Sequence, residues 1–108
     1  MTEQLELDLS FTQNNEDIPD SFFQGVNQDE DRRHPVETIC HPTCNRIQVH
    51  LRCIDDMWIW GVTIHGNNGG MGFYPFRKWG RKHVSTSRDL ALSAAFSYAS
   101  LRLPEYMK

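Results

Sequence analysis

Residues Phe73, Tyr74, Pro75, Phe76, Arg77, Lys78, Trp79, Gly80, Arg81, Lys82 and His83 interleave four aromatic rings with four fixed cations and one histidine. Cations neutralise phosphates and flat rings stack on bases, so the run suits a nucleic-acid surface. Arg46, His50 and Arg52 extend it if they share a strand face. The expected nucleic-acid contacts are Arg46, Arg52, Arg77, Lys78, Trp79, Arg81 and Lys82. The competing assignment makes the rings core residues and the cations a solubilising loop. A second group, His34, Cys40, His41, Cys44, His50 and Cys53, offers zinc ligands. It holds no C-x2-C pair, and on a strand His50 and Cys53 point to opposite faces. Cys53 also runs in phase with Ile47, Val49 and Leu51, where a thiol acts as a small hydrophobe. No metal and no other cofactor is expected. The third group is Gln4, Leu5, Glu6, Leu7, Asp8 and Leu9. An extended peptide of this kind seats alternate leucines in apolar pockets while Gln4 hydrogen-bonds beside them. The alternation from Leu5 to Phe11 equally suits an edge strand.

The elements that position these groups follow from periodicity. Ile47, Val49, Leu51 and Cys53 alternate with Arg46, Gln48, His50 and Arg52, which predicts a strand with one wet, basic face. Asp55 and Asp56 supply a turn. Met57 to His65 is a second, central strand, with Trp58, Trp60, Val62 and Ile64 on one face and Ile59, Thr63 and His65 on the other. Gly66 to Gly70 is a loop. Met71 to Phe76 is a third strand, placed at an edge because Pro75 cannot donate to a ladder. After the basic loop 77–84, Thr86 caps a helix that Pro104 limits at Leu103, with Leu92, Phe96, Ala99 and Leu103 facing the sheet and small residues allowing close approach. The fold class is α+β: a three-stranded antiparallel sheet covered by one C-terminal helix, β-β-β-α. A core this small is marginal and often recruits a metal, a partner subunit or another strand.

Charge is unevenly distributed. The net charge of the 108 residues is −3, yet residues 1–45 carry −8 and residues 46–108 carry +5. That asymmetry predicts an acidic, largely disordered arm over 1–36 and a small basic domain over 37–108. The arm's apolar residues are too few to offset the entropy of ordering it. No apolar run reaches the roughly 20 residues needed to span a bilayer, and the opening residues lack the pattern of a signal peptide. Three cysteines confined to one segment cannot form a closed disulfide framework, which fits a reducing, cytoplasmic setting.

The hexapeptide from Gln4 to Leu9 resembles the Q-L-x-L-x-L peptides that dock on the bacterial DNA polymerase sliding clamp. That resemblance implies a clamp partner contacted by Gln4, Leu5, Leu7 and Leu9. The β-β-β-α order resembles the three-stranded DNA-binding domains of the AP2 and phage-integrase type, in layout alone. It also resembles small uncharacterised accessory proteins of prophages and plasmids. His65, Asn67, Asn68 and His83 lack the spacing of a ββα metal nuclease, and no nucleophile elbow, P-loop or carboxylate pair is present, so no enzyme is expected. The chain reads as a non-enzymatic interaction protein acting on DNA replication or DNA-processing machinery. The alternative is an acidic inhibitor of a host nuclease or defence enzyme, with residues 16–31 covering the enzyme's basic channel and Trp58 or Trp60 in a homodimer interface.

Overall fold

A computed structural model of the chain describes residues 18–107. Five antiparallel strands form one sheet: β1 (Val36–Cys40), β2 (Ile47–Ile54), β3 (Met57–Gly66), β4 (Gly69–Phe73) and β5 (Val84–Ser85). A five-residue helix α1 (Gln28–Arg32) precedes them, and α2 (Arg88–Tyr106) follows. The alternating segment and the central strand form as expected, and β2 and β3 pair along their length from Ile47↔Ile64 to Ile54↔Met57. Asp55 and Asp56 take positive φ of 51° and 66°, the backbone that a two-residue hairpin needs to match the twist of its strands. β4 pairs with the C-terminal half of β3, and β5 pairs with Trp58 and Ile59 on that same edge.

The sheet thus has five strands where the sequence predicts three. The two missed strands are β1 and β5, of five and two residues, too short and irregular to carry a period-2 signal. The expected third strand is also shifted: it starts at Gly69, inside the expected Gly66–Gly70 loop, of which only Asn67 and Asn68 lie outside the strands, and it ends at Phe73. Pro75 lies beyond it, fully buried where the chain folds across the sheet onto Gly61. A Cβ on Gly61 would stand 2.3 Å from the Phe73 carbonyl oxygen, so only glycine admits this crossing.

The helix begins one residue later than predicted, with the Ser87 hydroxyl accepting from the Leu90 N–H at 3.1 Å. It runs past Pro104 to Tyr106. Pro104 removes only one late N–H, and at the helix end the Pro104 carbonyl accepts from the Met107 N–H while Asn67 donates its backbone N–H to the Tyr106 oxygen and its Nδ2 to the Met107 oxygen, at 2.8 and 2.9 Å. The face against the sheet centres on Ala91, Ala95 and Ala99, all fully buried, with Leu92, Phe96 and Leu103 at its flanks. Alanines allow the close approach, and the larger side chains wedge in beside them. These pack on Ile47, Val49, Leu51, Trp60, Val62 and Ile64. Trp60 is therefore a core residue, 4% exposed, and not the dimer surface considered for it.

The opposite face of the sheet is covered too. Ile18, Phe22, Ile54, Ile59 and Val84 form a second core. Part of the expected acidic arm lies here: Ile18 and Phe22 each bury a side chain for about 1.5–3 kcal/mol of stabilisation. Ile18 precedes and Phe22 falls in a four-residue 3-10 turn (Asp20–Phe23), which like α1 is too short to show periodicity. The first 17 residues of the expected arm lie outside the described residues. Among the described residues, no helix is long and apolar enough to cross a membrane.

Candidate functional site

The chain between β4 and β5 crosses the sheet edge as two short 3-10 turns, Arg77–Trp79 and Arg81–His83, joined at Gly80, whose φ of 91° favours glycine. Its cations have separate fates. The Arg77 backbone N–H and Nε donate to the two carboxylate oxygens of Asp31 at 2.9 and 2.7 Å, and Nη2 reaches Glu30 at 3.3 Å. Arg81 donates to the Ile18 carbonyl and to Asp20. Both arginines thus tie the N-terminal segment to the loop, with the Arg77 side chain 11% and that of Arg81 31% exposed.

Arg52 corrects the expected wet face of β2. It is 3% exposed, with its guanidinium 4.9 Å from the centroid of Phe76. Burial pushes its pKa down from the ordinary value, partly opposed by the charge of Asp31. His50 is also buried on this face. Its Nδ1 lies 2.9 Å from the Thr38 hydroxyl and its Nε2 2.7 Å from that of Thr63, while Tyr74 packs on the ring at 4.7 Å. Desolvation lowers the His50 pKa. Arg46 spends an N–H on the His65 carbonyl at 3.2 Å. The sheet face that a three-stranded DNA reader would present is thus occupied by the protein's own chain.

What remains exposed is a smaller set. Trp79 is 40% and Tyr74 54% exposed, and they are linked because Trp79 Nε1 donates to the Tyr74 carbonyl at 2.7 Å. The Lys78 ammonium sits 4.6 Å from the Trp79 ring, and Lys82 is exposed a few residues on. Neither lysine makes an ion pair among the described residues. Of the seven expected contacts, the fold leaves Lys78, Trp79 and Lys82 on this rim and adds Tyr74. No feature of the sequence separates Tyr74 and Trp79, which stay outside, from Phe76, which goes in.

Behind the rim the rings close into a cluster. Phe73 meets Trp79, Tyr98 and His83 at 5.8, 5.7 and 5.1 Å, and His83 lies 4.3 Å from Trp60. Burial first, then the neighbouring Lys82 charge, lowers the His83 pKa. The clustering makes Trp79 a braced platform instead of a loose loop tip.

The cysteine and histidine cluster separates in space. Cys40, His41, Thr43, Cys44, Arg46 and Leu103 line a shallow pocket at the end of the sheet, while His50 is buried beneath Tyr74. His41 accepts from the Thr43 N–H at 3.1 Å and packs edge-on against Phe96. Among the described residues no three His, Cys, Asp or Glu side chains come together to hold a metal ion, and all three cysteines are free thiols. Gln4, Leu5, Leu7 and Leu9 lie outside the described residues. Comparison with known proteins finds no family model, no curated protein and no solved structure that matches the chain.

Proposed function

We propose that the protein is a non-enzymatic interaction protein that binds single-stranded nucleic acid on the rim formed by Tyr74, Lys78, Trp79 and Lys82. The observation that carries this reading is the pair of exposed, hydrogen-bond-linked aromatics with Lys78 against the Trp79 ring and Lys82 exposed three residues further along the loop, neither lysine having a carboxylate partner among the described residues. Bases stack on such rings whatever their sequence, and the lysines screen the flanking phosphates. Docking on a sliding clamp through Gln4, Leu5, Leu7 and Leu9 is the second half of the proposal and rests on the hexapeptide alone. The rival inhibitor reading has less to work with, since Asp20, Glu30 and Asp31 are paired with the chain's own arginines.

Titration of a labelled single-stranded oligonucleotide tests the rim. Binding should weaken as salt rises, and Trp79→Ala or Tyr74→Ala should each cost about 1–3 kcal/mol of affinity. Lys78→Ala with Lys82→Ala should flatten the salt dependence. Absence of binding at low salt, or full affinity in Trp79→Ala, would refute the proposal. Retention of wild type but not Leu7→Ala on immobilised clamp tests the second half.

A further inference from the structure

Arg52 is buried on the β2 face away from α2, and its Nε and Nη1 are shut from solvent with no hydrogen-bond partner among the described residues. A guanidinium cannot shed its charge by losing a proton as lysine or histidine can, so burying it without an acceptor carries a standing cost. The carboxylate of Asp31 is near enough for its charge to act on Arg52, but its hydrogen bonds go to Arg77 and neither Arg52 Nε nor Nη1 reaches it. Further positive charge gathers at the same place. The Arg32 guanidinium and the Lys78 ammonium lie 5.4 and 6.0 Å from the centroid of the Phe76 ring on which Arg52 packs. Three like charges around one ring repel one another, and the ring's quadrupole compensates only part of that.

We infer that Arg52, Arg32 and Lys78 form a site for a phosphate group, esterified or free, with Phe76 as its apolar floor. A phosphate brings close to two negative charges and three terminal oxygens to these three cations, where a carboxylate brings one charge on two oxygens. Arg32 is the movable member: its side chain is 57% exposed and its partners, Asp29 and Gln28, sit on its own short helix. It swings aside to admit the anion and closes on it. Arg52 supplies the buried end and Lys78 the end nearest Trp79. Where the protein carries a single strand on its rim, the site takes a terminal phosphate of that strand; where it does not, the site takes a free phosphate. The first case rests on the single-strand reading above, and the second does not.

Thermal unfolding of the full chain in inorganic phosphate, acetate and chloride of matched ionic strength tests the site. The midpoint should rise with phosphate well beyond the other two salts. Arg52→Met should abolish that response, and Arg32→Ala should weaken apparent phosphate affinity roughly tenfold or more. No phosphate-specific rise in the wild type, an equal rise with acetate, or an undiminished rise in Arg52→Met would overturn the inference. If Arg52→Met does not fold, the exposed-side variants Arg32→Ala and Lys78→Met decide, and an unchanged phosphate response in both overturns it. Matched oligonucleotides with and without a 5′-phosphate then separate the sources: preference for the phosphorylated strand assigns the strand end, and a phosphate response without that preference assigns the free anion. A phosphate response with no oligonucleotide binding at all leaves the site standing and removes only the single-strand function.

Discussion

Asp31 and Arg77 are joined twice across 46 residues of chain, through the arginine's backbone N–H and its Nε, with the carboxylate side chain only 2% exposed. This pairing locks the acidic N-terminal segment to the basic loop. Asp31→Ala removes the anion but leaves the Arg77 side chain, 11% exposed, without its buried partner, and takes away the carboxylate charge that acts on the buried Arg52. The expected loss is about 3–5 kcal/mol, a large share of the stability of a domain this size. Urea unfolding of the variant measures it, and a loss no larger than that of a surface substitution would show that the pair is not structural.

Arg52→Met should behave in the opposite way. The substitution keeps side-chain volume and removes a buried charge whose Nε and Nη1 have no partner among the described residues. Without phosphate the variant should be as stable as the wild type or up to about 4 kcal/mol more stable. Urea midpoints compared at fixed pH decide it; clear destabilisation would mean that the guanidinium is already compensated.

Acid should weaken the fold beginning near neutrality. His50 and His83 both have pKa values depressed by burial from an ordinary 6.5. The unfolded chain therefore binds more protons than the folded one just below that pH, and stability rises with pH there. Their contribution is fully present above about pH 6.5 and is lost as pH falls from there through the depressed folded values. Each histidine adds at most about 1.4 kcal/mol per pH unit to the slope. Denaturant unfolding from neutral to mildly acidic pH should show this slope, and His50→Gln should reduce it. An unchanged slope in that variant would remove His50 from the account.

The β2–β3 hairpin turns through Asp55 and Asp56 with positive φ at both, a backbone that asparagine and glycine adopt more easily. Asp56→Gly should therefore stabilise the domain by about 1 kcal/mol. At Gly61 the opposite holds. Alanine there meets the Phe73 carbonyl at 2.3 Å and must push the 73–75 crossing away. Gly61→Ala should cost about 3 kcal/mol or more, whereas Gly72→Ala, with only the Thr63 hydroxyl at 3.3 Å, should cost less. Similar unfolding midpoints for these last two variants would contradict the crossing.

The amino-acid sequence alone determined the β2–β3 pair, the turn between them and a long C-terminal helix. Those elements carry their signal locally, in the alternation of Ile47, Val49 and Leu51, in the Asp55 and Asp56 turn, and in the apolar spacing after Ser87. Only the tertiary structure decided which charges are available. The basic run from Arg77 to Lys82 reads as one uniform surface, but Arg77 and Arg81 meet carboxylates 46 and 61 residues away, and no local pattern encodes a pairing over that distance. The strands β1 and β5 escaped for a related reason: their pairing is supplied by β2 and β3, which are already in place. Arg52 sits at an alternating position that looks wet until residues 18–36 and Phe76 close over it. Burial of a charge depends on what covers the strand from elsewhere, and the strand's own sequence does not contain that information.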